Sequence, residues 1–439
     1  MKTLIAAVLG SITIISVSSS AQTPRTLTLD EKRQGIAELA KALRARYAIG
    51  DLAETAARAV EERLASGAYD ALTDPREFGE AVTRDLQAAT KDLHLRFGVA
   101  PPPPPPPAPG AAPEPEAARA ARMKALRETN FGFAKAEILP GNVGYLRVSH
   151  FEAPDVAVDT LNGTMAFLAN ADAVIVDLRY CSGGNAYMMP WFAGYFLSEP
   201  TSLYDMVFRG DNVTERFWTQ PWLPGRRLDR QPMYILTSAH TFSGAEGFAY
   251  RFQVLKRATI VGETTRGGAN AGGVLQIPPV FAVWMPMGRP VDRDTGTNWE
   301  GTGVVPDLKT NAGDALAAAL LDALGKQKAQ AAGARDRARL DWAIEQAEAG
   351  RHPVAPDEES LARLAGTYGP DRVWVEGGQL RYQRDTRPIA LLTPVTATVF
   401  AAEASNPVRV EFVLGPDGRA TAIVVTGETW SRDEIPRSR

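Results

Sequence analysis

A regular alternation of apolar strands and helices between residues 143 and 262 limits the possible folds most strongly. Short apolar runs at 143–148, 173–178, 233–237 and 258–262 predict strands, and the segments between them have helical patterns. Parallel strands joined by helices need right-handed crossovers. We therefore predict an α/β core built on a largely parallel sheet.

A helical segment precedes this core. Thr28 and Glu31 have capping-box spacing, and apolar residues then recur at helical intervals along 36–47 and 52–64. A third helix is expected after Asp74-Pro75, and the alternation at 93–97 predicts a short half-buried strand. Residues 22–98 are therefore predicted to form a small helical bundle.

An unbroken proline run at 101–107 separates the bundle from the core. Such a run is extended and semi-rigid, so 99–118 is interpreted as a linker; a ligand for a proline-recognising domain is the alternative. The core is assigned to 119–349, with a helical stretch from 314 closing it. Two hairpin signals, Gly377-Gly378 and Pro416-Asp417-Gly418, predict a small antiparallel β domain at 350–439.

The first residues have the pattern of a secretory signal peptide. Lys2 precedes an apolar stretch at 4–17 that is too short to span a bilayer comfortably, and Ser19-Ser20-Ala21 offers a small-residue cleavage site. An uncleaved anchor is the alternative. We expect residues 1–21 to be removed, no transmembrane segment to remain, and the protein to be periplasmic or secreted.

Composition argues against several functional classes. The 439 residues carry 48 Lys and Arg against 51 Asp and Glu, so no broad basic field exists to attract nucleic acid. The single cysteine, Cys181, permits no intramolecular disulfide, and no Cys/His cluster has metal-ligand spacing. We expect no nucleic-acid partner, no metal and no other cofactor.

Ser243 has the sequence context of a nucleophile. It stands between a predicted strand and the helix it would start, with Gly244 and Ala245 directly after it. Unpaired N–H groups at a helix N-terminus can stabilise an oxyanion. A simple N-cap serine would show the same local pattern.

A second loop contains Gly183 and Gly184 and follows the preceding core strand. Both loops should emerge at the carboxyl edge of one sheet, where the active sites of open α/β folds collect. An N–H group of this loop could complement that of Gly244 in an oxyanion hole. A tight turn would need the same glycines, since glycine adopts positive φ easily.

Five motifs in order along the chain resemble those of the tail-specific, or C-terminal processing, serine peptidases. They are GYLR at 144–147, VDLR at 176–179 with its glycine pair, TFSGAE at 241–246, ATIVGETT at 258–265 and GTGVVPD at 301–307. The resemblance implies a crotonase-like (ClpP/crotonase) core and peptide cleavage through Ser243. Two departures are Cys181, where the family more often has asparagine, and the missing PDZ module.

That family divides on its catalytic base. The loop that carries the lysine of the Ser-Lys branch here contains Arg266, whose guanidinium does not deprotonate. The chain is similar instead to the branch of the tricorn protease core and the interphotoreceptor retinoid-binding protein repeats. This similarity implies that His94 is the base and Glu300 its acidic partner.

The residues alone leave alternatives open. His150 competes with His94 as the base, whereas His240 is expected in a turn and His352 in the linker to the C-terminal domain. Glu246 and Glu263 are alternative acids, each explained equally well by a helix-start or sheet-edge charge.

The combined expectation is a secreted or periplasmic serine endopeptidase acting on peptides or unfolded polypeptide. Ser243, His94 and Glu300 would form the catalytic group, and the oxyanion hole would come from Gly183, Gly184 and Gly244. The rival is a non-catalytic protein that binds a hydrophobic, retinoid-like ligand on the same fold.

Overall fold

The computed structural model describes residues 26–99, 116–402, 408–427 and 432–438. The expected signal peptide and the proline run lie outside these residues. Contacts divide the chain into two compact units, one extending to Glu137 and resuming at Gly144–Ala312, the other comprising Ile138–Val143 and the chain from Gly313 onward. Within the described ranges, no helix is both long and apolar enough to cross a membrane.

The first unit combines helices with two sheets. Its helices are α1 (Leu29–Arg46), α2 (Gly50–Ala65), α3 (Pro75–Thr90), α4 (Glu116–Glu128), α5 (Pro154–Leu168), α6 (Met188–Gly194) and α7 (Gly244–Val254). The strands up to its end are β1 (Arg96–Val99), β2 (Phe133–Leu139), β3 (Val143–Val148), β4 (Ala173–Asp177), β5 (Ser202–Phe208), β6 (Val213–Trp218), β7 (Met233–Thr237), β8 (Thr259–Gly262), β9 (Ala271–Ile277), β10 (Phe281–Val291) and β11 (Leu308–Lys309).

A six-stranded sheet in the order β11-β8-β7-β4-β3-β2 forms the predicted core. The pairs β4–β7, β7–β8 and β8–β11 are parallel. β4 and β7 are buried along their whole length, as expected for strands covered on both faces. The α/β prediction is confirmed, and the strands predicted from apolar runs form at β3, β4, β7 and β8.

The second sheet was not predicted. It has the order β1-β10-β5-β6, with β9 also pairing to β10, and all of these pairs are antiparallel. β5, β6, β9 and β10 lie within the connections of the parallel sheet, and β1 precedes that sheet. Periodicity alone does not reveal such a sheet, because β5 pairs with a strand far along the chain, as in Phe208 with Gly288.

The N-terminal helices pack on this second sheet. They share one hydrophobic cluster with β9 and β10. Phe281 of β10 stacks on Phe97 with ring centroids 5.0 Å apart and lies 5.5 Å from Phe78 of α3. A Cβ added to Gly35 of α1 would lie 2.5 Å from the Phe281 ring. This close packing places the segment between α3 and β1, which contains His94.

The residues around His94 form a turn, so the strand predicted from Leu93 was wrong at its start. β1 begins at Arg96, and Leu93 and His94 lie in the turn before it. The Asp92 carboxylate accepts the N–H of His94 at 3.0 Å. Aspartate often bonds the backbone two residues ahead in this way, which favours a turn over an extended strand.

The second unit carries the antiparallel sheet expected at the C-terminus. Its elements are α8 (Ala315–Gln330), α9 (Ala334–Arg351), α10 (Glu358–Leu364), β12 (Gly366–Tyr368), β13 (Asp371–Glu376), β14 (Gln379–Arg384), β15 (Ala390–Pro394), β16 (Val399–Ala402), β17 (Val408–Leu414), β18 (Ala420–Thr426) and β19 (Arg432–Pro436). The strands pair in sequence order. A bridge between Tyr368 and Arg437 brings the last strand to the first and nearly closes a barrel. The helices predicted to close the core belong to this unit.

Candidate active site

Ser243 lies at the sharp connection between β7 and α7. Its backbone has φ 54° and ψ −123°, a conformation that costs energy for a residue with a side chain. The preceding residue is fixed by a hydrogen bond from the Phe242 N–H to the Cys181 carbonyl at 3.1 Å. Ser243 itself is half-buried. The serine therefore occupies a strained position at a helix start.

The Gly183-Gly184 loop meets Ser243 at this point. Gly183 has φ 92° and Gly184 has φ 136°, both in the region that favours glycine. A Cβ on Gly183 would lie 2.6 Å from the backbone nitrogen of Gly244 and 2.8 Å from the Ser243 Cβ. Phe151 holds the loop, donating its N–H to the Gly183 carbonyl at 2.8 Å. The structure thus brings together the two glycine loops that the sequence singled out.

His94 lies beside the residue that precedes the serine. Its ring is sandwiched between Phe242 and Trp284, at centroid distances of 4.4 and 5.1 Å. The ring is almost fully buried, and neither ring nitrogen has a hydrogen-bond partner within the described part of the chain. The packing brings His94 to the nucleophile's neighbour, while no hydrogen bond between His94 and Ser243 is present among these residues.

Asp92 is the carboxylate that contacts His94. Its Oδ1 lies 3.5 Å from Nδ1 of the histidine. Its Oδ2 accepts hydrogen bonds from the Tyr47 hydroxyl at 3.0 Å and the Asn270 amide at 3.1 Å. Burial opposes ionisation of Asp92, but the nearby His94 ring and the backbone N–H of His94 outweigh it and hold the pKa of Asp92 below the ordinary value. Sequence reasoning gave Asp92 no role, although its position two residues before His94 was a usable signal.

Glu300 is linked to Asp92 through Asn270. Its Oε2 accepts the backbone N–H groups of Ala269 at 2.5 Å and Asn270 at 3.1 Å, and its buried Oε1 has no partner within the described ranges. Burial, and then the charge of Asp92, raise the pKa of Glu300 to about 7. Asn270 connects the two acids, because its backbone binds Glu300 and its amide binds Asp92.

Glu246 ties the nucleophile to the loop at 265–268. One carboxylate oxygen accepts from the Thr265 hydroxyl at 2.5 Å and the Gly267 N–H at 2.6 Å. The other accepts the N–H groups of Ser243 at 2.8 Å and Gly268 at 2.9 Å. This carboxylate is fully buried, and burial raises its pKa to about 7 against the effect of these bonds. Glu246 therefore holds backbone rather than a histidine.

The Gly268 end of that loop forms part of the wall around the base. A Cβ on Gly268 would lie 2.8 Å from Cε1 of His94 and 2.1 Å from the Phe242 ring. The loop carbonyl of Gly268 also accepts the indole N–H of Trp299 at 2.9 Å. The carboxylate of Glu246 thus couples the backbone of Ser243 to the packing around His94.

The other candidate bases have different contacts, and His150 lies beside Ser182, next to the glycine loop. Nδ1 of His150 is 3.3 Å from the Ser182 hydroxyl, Nε2 is 3.9 Å from a Glu152 oxygen, and burial lowers the pKa of His150. His240 is exposed in the predicted turn and stacks on Tyr180 at 6.1 Å. His352 follows α9 in the second unit.

The remaining candidates have structural contacts. Glu263 accepts the N–H groups of Ala239 at 3.2 Å and Ala312 at 3.1 Å. The Cys181 thiol is fully buried, and burial raises its pKa to about 12, so it stays protonated at neutral pH. Among the described residues, no group of three or more His, Cys, Asp or Glu is arranged to hold a metal ion.

Several solved structures resemble this chain at low identity. The photosystem II D1 C-terminal processing protease is 14% identical, with 72% of this chain and 100% of that chain covered at a TM-score of 0.41. The tricorn protease is 13% identical, with coverages of 66% and 35% and a TM-score of 0.42. A lipoprotein from Streptococcus agalactiae is 16% identical, with coverages of 64% and 92% and a TM-score of 0.40.

Two family models match adjoining parts of the sequence. Residues 142–310, which contain Ser243, Glu300 and the glycine loops, match Peptidase family S41. Residues 25–132, which contain His94, match the N-terminal domain of Peptidase S41 in eukaryotic IRBP. Since both parts of the site region match models of one family in the expected order, the chain belongs to peptidase family S41 and is a serine-type peptidase.

Proposed function

We propose that this peptidase cleaves peptides or unfolded polypeptide through an acyl-enzyme on Ser243, with His94 as general base. The observation that carries the proposal is the strained Ser243 at the start of α7, with the glycine loop on one side and the buried His94 near its neighbour Phe242. Secretion to the periplasm or the medium remains a prediction from residues 1–21.

In the proposed reaction, Oγ of Ser243 attacks the carbonyl carbon of the peptide bond while its proton passes to His94. The negative oxygen of the tetrahedral intermediate accepts hydrogen bonds from the N–H groups of Gly184 and Gly244. Collapse breaks the C–N bond, and the leaving amine takes the proton from His94. Water, deprotonated by the same histidine, then hydrolyses the ester and restores the serine.

This scheme requires a hydrogen bond from Ser243 to His94 that the resting structure lacks. We propose that the serine side chain turns toward the ring when substrate binds. Catalytic hydrogen bonds commonly tighten only in the substrate complex. The stacking against Phe242 and Trp284 supports a fixed imidazole toward which a small serine side chain turns.

Glu300, the acid implied by the resemblance, is proposed to act on the base indirectly. Asp92 contacts Nδ1 of His94, and Glu300 lies behind it through Asn270. A protonated Glu300 would leave a single negative charge, on Asp92, facing the imidazolium that forms during the reaction. Asp92 would therefore hold the histidine tautomer, while Glu300 holds the loop that positions Asp92.

The apolar cavity in the core does not favour the rival binding function. An apolar cavity beside α6 and α7, lined by residues such as Phe248 and Leu203, has a volume of ≈ 10 Å³. That volume accommodates about one water molecule rather than a retinoid-like ligand.

The proposal is tested by labelling the full chain with a fluorophosphonate and measuring cleavage of a quenched fluorescent peptide. We expect wild-type protein to be labelled and active, and Ser243→Ala to lose both properties. Ser66→Ala, at an exposed serine after α2, is the matched control and should behave as wild type. Cleavage that persists in Ser243→Ala would refute the assigned nucleophile.

A further inference from the structure

A basic groove lies between α3 and β1, with a volume of ≈ 680 Å³. We call it the arginine groove, because four of its lining residues are Arg76, Arg84, Arg96 and Arg266. Glu80 is the acidic side chain in its lining, and Thr83 and Gln87 add polar groups. The groove is therefore positively charged in a chain whose overall charge is −3.

The charges of the groove are not internally balanced. Arg76 pairs with Glu80 at 2.9 Å, one turn further along α3. Arg84, Arg96 and Arg266 are exposed, and no carboxylate within the described ranges pairs with them. Three guanidinium groups thus remain available to an external anion. Their planar forks suit carboxylates, which they bind with two parallel hydrogen bonds.

The groove adjoins the proposed active site through Arg266. The guanidinium of Arg266 lies 5.1 Å from the ring centroid of Phe242. Its backbone N–H donates to the Thr241 carbonyl at 3.2 Å. Phe242 immediately precedes Ser243 and also stacks on His94. A peptide held at Ser243 could therefore extend past Phe242 into the groove.

We propose that the arginine groove selects peptide substrates with acidic side chains some residues away from the cleaved bond. Arg84 and Arg96 bind the substrate carboxylates, and Arg266 lines the passage toward Ser243. The expected effect on cleavage rests on the proposed peptidase function, whereas the binding of acidic peptides to the groove does not. It names the substrate class as acidic polypeptide, which the family match leaves open.

The binding step is tested with full-length Ser243→Ala protein, which cannot consume the probe. Two fluorescein-labelled peptides of identical sequence, one with glutamates and one with glutamines in their place, are compared by fluorescence anisotropy. We expect the acidic peptide to bind ~10-fold more tightly, since exposed ion pairs each contribute less than about 1 kcal/mol and two or three act together. The difference should shrink at high salt.

The double change Arg84→Gln with Arg96→Gln should abolish the preference, so that the acidic peptide binds no more tightly than the glutamine peptide. Arg46→Gln is the matched control, because Arg46 is exposed on α1 outside the groove. Equal binding of the two peptides, or a preference that survives the double change, would overturn the inference.

Catalysis supplies a second readout in the protein with Ser243 intact. Arg84→Glu with Arg96→Glu should reverse the kcat/KM preference from glutamate to lysine peptides. If wild type cleaves no peptide, the proposed peptidase function fails, yet the anisotropy comparison still decides the groove. Cleavage with no charge preference would instead overturn the groove and leave the peptidase function intact.

Discussion

The two halves of the proposed site are built in different ways. Ser243 follows a strand of the parallel sheet, and its partner loop at Gly183 follows the neighbouring strand of the same sheet. His94 precedes β1 and is held by Trp284 of β10, in the antiparallel sheet. The nucleophile half therefore depends on local connections at one sheet edge. The base half depends on how the helical bundle packs against a second sheet.

The largest effect is expected when the base is removed. His94→Ala should lower the cleavage rate by ~10³-fold or more, because the serine then has no proton acceptor. Fluorophosphonate labelling of Ser243 should slow in parallel. His150→Ala is the control and should cost far less. Near-normal cleavage by His94→Ala, together with collapse in His150→Ala, would assign the base to His150, after β3.

The next largest effect separates the two acids behind the base. Asp92→Asn should lower kcat by ~10²-fold to ~10⁴-fold, because an amide fails to hold the required imidazole tautomer. Glu300→Gln should cost about 10-fold, because it acts only through the loop at Asn270. The measurement is kcat and KM of both variants on one peptide. A larger loss of kcat in Glu300→Gln than in Asp92→Asn would indicate that Glu300, not Asp92, contacts His94 directly.

A moderate effect is expected from changing Glu246, whose carboxylate binds the backbone of both Ser243 and Gly268. Glu246→Gln places an amide donor against backbone N–H donors, so we expect the free energy of unfolding to fall by about 1–3 kcal/mol. A drop in kcat of ~10-fold at little-changed KM should accompany it if Glu246 positions Ser243. Urea denaturation and steady-state kinetics measure the two effects.

Glu263→Gln is the matched control, since Glu263 also accepts two backbone N–H groups, but from Ala239 and Ala312 instead of Ser243 and Gly268. A purely structural role for Glu246 would appear as lost stability in the folded variant with an unaltered kcat.

The smallest effect is a pH dependence of stability. Since the pKa of Glu300 is raised to about 7, folded protein holds a proton that the unfolded chain releases near its ordinary pKa. Its contribution is full at low pH and is lost as pH rises through about 7, by at most about 1.4 kcal/mol per pH unit. Glu300→Gln should flatten this part of the wild-type curve, measured by urea denaturation between pH 5 and 8. Parallel curves for the two proteins would show that Glu300 is ionised in the fold.

Features that depend on neighbouring residues were predictable. The caps at Thr28 and Asp74, and the strand-to-helix turn at Ser243, follow from side chains within a few positions of each other. The start of β1 was predicted too early in the chain, because the apolar alternation at 93–97 carries no sign of the hydrogen bond from the His94 backbone to Asp92. The strands β9 and β10 were missed, since their pattern is broken by glycine and proline and no local rule names their partners.

The sequence by itself determined the order of strands and helices in the parallel core, the serine turn and the glycine loop, because hydrophobic period and backbone preference act over a few residues. Only the tertiary structure decided which acid contacts His94 and where the histidine sits. Asp92 is held by Asn270, 178 positions away. The His94 ring is held between Phe242, in the turn after β7, and Trp284 of β10. Contacts over such distances form only when the bundle and both sheets pack together, which local patterns do not record.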